Sequence, residues 1–391
     1  MAYHRRPDIH ANNLCGFKYF GVLGPLLDRL RPLGTESDHA GNRKLFFDQY
    51  ARLLLLQFFS PIVTSLRGIQ QASQLDKVQK QLGCSRVSLG SFSEAASDFN
   101  AEALHPIIAE LASQALPLAA GKEADALRGL TAVDGSLLPA LPKMAWALWV
   151  DDQHRAAKMH VHFDVLKGVP VEATLTHGSG SETTQLRNTL QPERLYVIDR
   201  GYADYRLFQD IIDAGSAFVG RIKSNAVWSV VEDRPLSAEA KAAGVRRDCI
   251  VRLGGPQSGG VLKQPLRIVE VHTSDSHGKP IILLLATSRL DLDAELVALA
   301  YRYRWTVELF FRWFKRILGC RHLLSNKQNG VTIQLYLGII ASLLISLWTG
   351  KKPTKRTWEM LQWYFLGYAT AAELQQHIQQ LPEHAQADQP V

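Results

Sequence analysis

Residues 130–138 read LTAVDGSLL, a largely apolar run that carries one aspartate, Asp134. Its length and apolar content are typical of a buried strand. Two further runs, 158–165 (KMHVHFDV) and 169–176, have the period of two that indicates half-buried strands. A helix, a strand, a second helix and another strand then follow as far as residue 223. This order predicts an α/β fold in which helices flank a mixed sheet.

Changes in sequence pattern around these strands divide the chain into segments. Residues 1–125 show helical patterns, and short β-branched runs between Gly, Pro and Ser turns predict a β-rich insertion over 224–288. The α/β core is therefore assigned to 126–223 and 289–350. Residues 351–391 are assigned to a C-terminal helical and tail region.

Composition bounds the class of protein. The 391 residues are 46% hydrophobic, which excludes a fibrous or wholly disordered chain. Lys and Arg number 44 against 37 Asp and Glu, and this net charge of +7 permits a nucleic-acid partner without demonstrating one. Four widely spaced cysteines, with no C-x-x-C pair, argue against a disulfide framework or a zinc knuckle. With no apolar run after the basic N-terminus, we predict a cytoplasmic protein.

Residues 331–348 are almost entirely apolar and close to the length of a membrane span. Two interpretations compete, a lone transmembrane helix and a helix buried in a large core. Polar residues recur within the stretch (Gln334, Ser342 and Ser346), and no comparable second segment exists. These features favour the buried helix, because helices that are apolar all round also occur in large cores.

Two segments could contact DNA. Residues 75–100 suggest a helix, a short Gly-containing turn and a second helix, which fits either a helix-turn-helix or two ordinary packed helices. The basic cluster of Lys351, Lys352, Lys355 and Arg356 fits a DNA contact or, more commonly, a solvated linker.

Chemistry is indicated by two aspartates and one helical stretch. Asp134 and Asp199 each follow apolar strand residues, where a carboxylate is costly to bury unless it is paired or binds a metal. Residues 301–315 read YRYRWTVELFFRWFK, and on a single helix one stripe of this stretch carries Tyr301, Arg304, Glu308 and Lys315. The alternatives are aspartates that cap turns and a solvated Arg304–Glu308 ion pair.

Three acidic residues from different elements supply oxygen ligands only, which suits Mg²⁺ or Mn²⁺ rather than zinc. Two such ions between carboxylates can activate an attacking oxygen and stabilise a leaving oxygen. Neighbouring cations and a tyrosine hydroxyl can hold a phosphate backbone. The residues alone therefore predict metal-dependent phosphodiester chemistry on nucleic acid.

The same residues resemble a known family. The stripe matches Y-(2)-R-(3)-E-(6)-K without a gap, the signature of the IS-four-type bacterial insertion-sequence transposases. TAVDGS around Asp134 and DRGY at 199–202 look like the first and second acidic motifs of that family. The spacing between the second acidic motif and Glu308 leaves room for the β-rich insertion. The resemblance covers about residues 125–350.

The resemblance implies a ribonuclease-H-like catalytic core with Asp134, Asp199 and Glu308 as the metal-binding triad for two Mg²⁺ (or Mn²⁺) ions. It also implies cut-and-paste transposition, in which a homodimer binds double-stranded DNA as a paired-end complex of terminal inverted repeats and then joins target DNA. The N-terminal helical domain would bind the ends. Two alternatives are a metal-dependent nuclease of the same fold without strand transfer, and a DNA-binding repressor derived from a transposase.

By the same resemblance, Tyr301, Arg304 and Lys315 become DNA-phosphate contacts. Trp305 is interpreted either as a DNA contact or as a packing residue. Trp228 is the tryptophan of the insertion, where some relatives stack a tryptophan on a flipped base, but no motif supports that role here. The polar residues of the second strand, His160, His162 and Asp164, are interpreted as structural.

Overall fold

The computed structural model describes residues 23–35, 38, 41–60, 62–118, 120–139, 143–147, 155–255, 261–275, 277–316 and 323–381. Within these residues, helices flank one nine-stranded mixed sheet. This arrangement confirms the predicted α/β class with a mixed sheet. The basic N-terminus, Cys15 and Cys320 lie outside the described residues. Cys84 and Cys249 are buried free thiols.

The N-terminal region is helical, as its sequence pattern predicts. Its helices are α1 (Gly24–Asp28), α2 (Phe47–Phe59), α3 (Leu66–Ala72), α4 (Asp76–Leu82), α5 (Leu89–Asp98), α6 (His105–Gln114) and α7 (Lys122–Ala126). The pair α4 and α5 forms the helix, turn and helix predicted over 75–100, and Gly83 ends α4 in the left-handed conformation. Binding of DNA by this pair stays a prediction.

The sheet contains all nine strands of the described chain. They are β1 (Leu130–Pro139), β2 (Ala156–Asp164), β3 (Val169–His177), β4 (Leu195–Ile198), β5 (Ala217–Arg221), β6 (Trp228–Asp233), β7 (Val245–Leu253), β8 (Leu266–Ser274) and β9 (Pro280–Thr287). The spatial order is β3-β2-β1-β4-β5-β9-β8-β7-β6. Only the β1–β4 and β4–β5 pairs are parallel, and the others are antiparallel.

The β-rich insertion continues the sheet of the core. β9 pairs antiparallel with β5, with Val219 opposite Thr287, so hydrogen bonds run unbroken from the core strands into the insertion. The insertion also contains a short helix, α10 (Ala238–Ala242), which its sequence pattern did not indicate. The sequence pattern therefore changes at the predicted boundary, residue 224, but the sheet continues across it without a gap.

Helices cover both faces of the core strands. On one face lie α8 (Glu182–Asn188) and α9 (Tyr205–Asp213), whose apolar residues cluster with Val133 and Ile198. On the other face lie α11 (Ala294–Arg302), α12 (Trp305–Arg316) and α13 (Gln328–Thr349), in one cluster with Ala132 and the N-terminal helices. Consecutive side chains of β1 thus pack into different hydrophobic clusters, because side chains alternate between the two faces of a strand.

The apolar stretch 331–348 lies inside α13. Among the described helices α13 alone is long and apolar enough to span a membrane, and 89% of its most apolar window is buried in the protein. The Asn329 side chain accepts from the Ala101 N–H at 3.1 Å and donates to the Ala96 carbonyl at 3.0 Å. These contacts tie α13 to the N-terminal helices and support the interpretation of a buried core helix.

Residues 351–381 form two helices rather than an irregular segment. They are α14 (Lys355–Leu366) and α15 (Ala371–Gln379), each opened by a threonine capping box. Lys351 Nζ donates to the Gln379 carbonyl at 2.9 Å, and the Arg356 guanidinium stacks on Trp363. Part of the basic cluster is therefore occupied in holding these helices, and its role in DNA binding stays a prediction.

Candidate active site

Asp134 and Asp199 lie at the same level of two adjacent parallel strands. The last residues paired between β1 and β4 are Ala132 and Val197. Asp134 follows Ala132 by two residues, and Asp199 follows Val197 by two residues. Because side chains alternate along a strand, both carboxyls face the side of the sheet on which α12 lies. β2 and β4 flank β1 on opposite sides, so the strand order reverses here. Ligands of open α/β sheets bind at such switch points.

A third carboxylate comes from the first turn of α12. Glu308 accepts from Arg304 Nη1 at 2.8 Å, which is the ion pair expected at this spacing. Aromatic packing seats the helix on the sheet, because the Phe310 ring lies 5.3 Å from the Phe163 ring of β2, centroid to centroid. The structure thus brings Asp134, Asp199 and Glu308 to one face of the sheet.

The stretch 301–315 is not one helix, which corrects the geometry assumed for it. Helix α11 ends at Arg302, and the Arg304 N–H bonds back only three residues, to the Tyr301 carbonyl at 3.1 Å. The Tyr303 carbonyl accepts from the N–H of Thr306 at 3.0 Å and from its hydroxyl at 2.7 Å, so the bonds here also join residues three apart rather than four. Tyr301 nevertheless lies beside Arg304: burial raises the pKa of the phenol, and the Arg304 charge opposes the rise.

The other signature residues lie around these carboxylates. Lys315 Nζ donates to Ser136 Oγ and to the Leu137 carbonyl, both at 2.6 Å, and so anchors α12 to the end of β1. The Trp305 side chain is 47% exposed, and the Arg304 guanidinium stacks on its ring at 5.1 Å. Contacts of any of these residues with DNA stay predictions.

Negative charge is concentrated around Asp134. Burial raises the pKa of Asp134 to about 6; the Gly135 N–H, 2.8 Å from Oδ1, opposes the rise, and the Glu182 and Glu308 carboxylates add to it. The Arg304 charge also opposes the rise. Protonation is thus favoured here more than at an ordinary aspartate, as is typical of functional sites.

Asp199 also caps the turn that follows its strand. Its Oδ1 accepts the Gly201 N–H at 2.6 Å in the 3₁₀ turn Arg200–Tyr202. The turn-capping alternative is therefore realised, and it leaves Asp199 beside Asp134. The same turn places the Tyr202 side chain at the site, where its hydroxyl is buried and finds no hydrogen-bond partner in the described chain.

Sequence reasoning missed Glu182 and Tyr202. Glu182 begins α8 and reaches the site over Gly135, and its Oε1 lies 3.2 Å from Lys158 Nζ. A glycine directly after the first aspartate, and a tyrosine within DRGY, were available signals. Neither could be connected with Glu182 without the fold, because the contacts join distant parts of the chain.

The residues present fit a divalent cation by their chemistry. The donor set consists of carboxylate oxygens, the ligands that Mg²⁺ and Mn²⁺ prefer. In the described part of the chain no three ligating side chains converge closely enough to define a metal site. Arg304 supplies positive charge instead: burial opposes its charge, but Glu308, Tyr301 and Asp199 outweigh that effect and raise its pKa.

The histidines of β2 have structural partners. His160 Nε2 lies 2.9 Å from Thr176 Oγ1, and His162 Nε2 lies 3.1 Å from Thr189 Oγ1. Burial lowers the pKa of His160 to about 4 and that of His162 to about 3, so both rings are neutral near pH 7. Asp164 accepts from Arg194. These contacts support the structural interpretation of all three residues.

Comparisons with known proteins agree on a family. A family model described as the transposase DDE domain matches residues 125–344. The protein named as transposase y4zB of Sinorhizobium fredii is 33% identical over 221 residues, covering 56% of this chain and 60% of the relative. The transposase named for insertion sequence element IS5377 of Geobacillus stearothermophilus is 26% identical over 219 residues, 55% of each protein. The chain therefore spans a little over half the length of these relatives.

Among solved structures, a piggyBac transposase synaptic complex with hairpin DNA has a TM-score of 0.43 and 11% identity. That match covers 98% of this chain and 84% of the other, and at this level it adds no argument. The family model covers more than half of the sequence and includes Asp134, Asp199 and Glu308. The chain belongs to the transposase DDE domain family.

Proposed function

We propose that the chain is a DDE transposase that cleaves DNA at the terminal inverted repeats of an insertion sequence and joins the ends to target DNA. One observation carries the proposal. Asp134 within β1 and Asp199 directly after β4 lie at the same level of adjacent parallel strands, and Glu308 lies on the helix packed over that face. The order β3-β2-β1-β4-β5, with its last two pairings parallel, supports the ribonuclease-H-like core that the resemblance implies.

In this proposal Asp134, Asp199 and Glu308 would hold Mg²⁺ or Mn²⁺, as two ions. When bound, the ions activate the attacking oxygen and stabilise the leaving oxygen of a phosphodiester. The chain itself positions the carboxylates. Arg304 fixes Glu308 by its hydrogen bond, and Lys315 anchors the strand end next to Asp134.

DNA would approach past the exposed side of this face. Trp305, half-exposed at the start of α12, is available to a DNA backbone, and the Arg304 guanidinium stacks on its ring. Tyr301 lies beside Arg304 and would contact the same backbone with it. The net charge of +7 favours association with DNA. A homodimer on paired ends, with end binding through the N-terminal helices, is part of the proposal.

The test is an in vitro reaction with Mg²⁺ and a plasmid that carries the inverted repeats flanking the gene. Wild type should excise the segment and join it to a target plasmid. Glu308→Gln should lower the rate by on the order of 10³-fold, since metal-assisted displacement supplies several kcal/mol. Asp213→Asn is the matched control, because Asp213 lies at the far end of α9 and pairs with Lys263.

Each outcome separates the alternatives. Joining that is lost in Glu308→Gln and retained in Asp213→Asn supports the transposase. Cleavage without joining would favour the nuclease. A gel shift on the repeats without cleavage would favour the repressor.

A further inference from the structure

A fourth carboxylate approaches the site from the opposite face of the sheet. Glu182 begins α8, which lies on the face away from α12. Gly135 is directed to that face, and a Cβ at this position would lie 2.8 Å from Glu182 Oε1 and 3.1 Å from Cδ. The backbone of Gly135 is not in the left-handed region, so the glycine is needed here for space. Its missing side chain lets the Glu182 carboxylate lie against β1 next to Asp134.

A neighbouring lysine neutralises this carboxylate. Lys158 of β2 places its Nζ 3.2 Å from Glu182 Oε1 and 3.2 Å from the Gly180 carbonyl. The two side chains are 16% and 31% exposed, so the pair is partly shielded from solvent. Removal of either partner leaves the other charge half-buried.

A second observation points from Glu182 into the site. The Tyr202 side chain is 1% exposed, and its hydroxyl has no hydrogen-bond partner within the described residues. The charges that act on this phenol are, after the effect of burial, those of Glu182, Asp134 and Asp199, and together they raise its pKa well above the ordinary value. The hydroxyl therefore remains a buried donor that is influenced by the charges of three carboxylates and has no hydrogen-bond partner among the described residues.

We propose that Glu182 is a fourth carboxylate of the cation site, which exchanges its ion pair with Lys158 for a divalent cation shared with Asp134. Tyr202 is the positioning residue in this inference, since its hydroxyl donates to the carboxylate group once Glu182 turns from Lys158. The inference rests on the proposed function and extends it to residues outside the signature. It assigns a role to Gly135, whose lack of a side chain opens the path for Glu182.

The test measures Mn²⁺ binding without DNA, by the loss of the electron paramagnetic resonance signal of free Mn²⁺ on addition of the full chain. Glu182→Gln should weaken binding by about tenfold, within the range found when residues that support a metal site are removed. Lys158→Met should strengthen binding by about threefold or more, because the competing cation is gone. Glu295→Gln is the matched control: it is also a partly buried acid in the first turn of a helix, and it should bind as wild type does.

Tyr202→Phe removes only the hydroxyl. It should weaken Mn²⁺ binding by about threefold while thermal unfolding stays at or above the wild-type midpoint, because an unsatisfied buried donor is removed. A purely structural tyrosine would leave the Mn²⁺ affinity unchanged. The opposite directions expected for Glu182→Gln and Lys158→Met keep the test decisive if one variant folds poorly.

The outcomes distinguish this inference from the proposed function. If Asp134→Asn loses Mn²⁺ and Glu182→Gln binds as wild type does, the inference is overturned and the proposed function stands. If Lys158→Met weakens binding as much as Glu182→Gln, the pair is structural and the inference is again overturned. A wild-type chain that binds no Mn²⁺ would overturn the inference together with the metal ions of the proposed function. DNA cleavage measured separately would then decide what remains of that function.

Discussion

Two regions of one sheet bury charge in opposite ways. Between β7 and β8, Arg267 and Asp248 are almost fully buried and form a bidentate pair with two N–O distances of 2.7 Å. Around Asp134 and Asp199, carboxylates outnumber cations among the described residues, the pKa of Asp134 is raised, and the Tyr202 hydroxyl has no hydrogen-bond partner there. A closed pair stabilises the fold that contains it. An unbalanced set of charges with a shifted pKa is typical of functional sites.

The closed pair also has a consequence for the open set. Arg267 donates, besides its two bonds to Asp248, to the Leu292 carbonyl, which lies two residues before α11 begins. This bond joins the insertion strands to the segment that leads through α11 and the turn at Arg304 to Glu308. The closed pair thus ties the insertion to the segment of chain that continues to the third carboxylate.

The largest expected effect on stability is at the closed pair. Arg267→Met should lower the free energy of unfolding by about 3–5 kcal/mol, because it leaves Asp248 charged and buried without a partner. Guanidinium unfolding followed by circular dichroism measures the loss. Lys263→Met is the control, since it breaks a Lys263–Asp213 pair whose side chains are 66% and 50% exposed. That change should cost much less than the change at the buried pair, because exposed ion pairs contribute little.

A double variant sharpens this comparison. Arg267→Met combined with Asp248→Leu removes both charges and should recover most of the loss, as apolar replacement of buried ion pairs often does. If Arg267→Met alone lowers the free energy of unfolding by less than the control Lys263→Met, the distinction between a closed structural pair and an open functional set is contradicted.

Local sequence patterns predicted the helices, the strands and the kind of chemistry. They could not predict the features that depend on contacts between distant parts of the chain. The strands of Asp134 and Asp199 follow from apolar runs, β2 and β3 follow from period-two patterns, and α13 follows from its length and apolar content. The joining of the insertion to the core at β5 and β9 is a pairing of distant strands, which no window of sequence contains. Assignment of Asp134, Asp199 and Glu308 to catalysis stays a prediction, although they lie on one face.

The break before α12 shows a different limit. Helical periodicity continues through 301–315, so the pattern predicts one helix. In the structure the helix is interrupted, and the Thr306 side chain donates a hydrogen bond to the Tyr303 carbonyl at the interruption. Glu182 could not be found either, because its neighbours Gly135 and Lys158 come from strands that meet it only in the folded chain. The residues that sequence reasoning missed are thus those whose role depends on contacts across the sheet.

A smaller effect on stability is expected at the open set, from the change of the Asp134 protonation state with pH. In EDTA, the pKa of Asp134 is about 6 in the folded chain against 3.8 as the ordinary value. The folded state therefore binds more protons than the unfolded state between these values. The contribution of Asp134 to the free energy of unfolding should fall by up to about 3 kcal/mol as pH rises from 4 to 7.

The measurement is the difference between wild type and Asp134→Asn at pH 4 and at pH 7.5. His160 and His162 are present in both proteins, so their effect on acid stability cancels to first order in this difference. Relative to the variant, wild type should lose stability as pH rises. A difference that is constant with pH, or one that grows in favour of wild type, would show that Asp134 is balanced like the closed pair.

The smallest effect on stability is expected at Gly135. The Cβ of Gly135→Ala would meet the flexible end of Glu182 at 2.8 Å, so the carboxylate moves and the backbone stays. The loss should be about 1 kcal/mol, at the low end for added atoms in a packed site. In a Glu182→Ala background the same change should cost nothing, because the atoms it meets are gone. An equal loss in both backgrounds, measured by guanidinium unfolding, would mean that Gly135 serves the strand alone. Coupling between the two positions would instead show that the missing side chain of Gly135 makes room for Glu182.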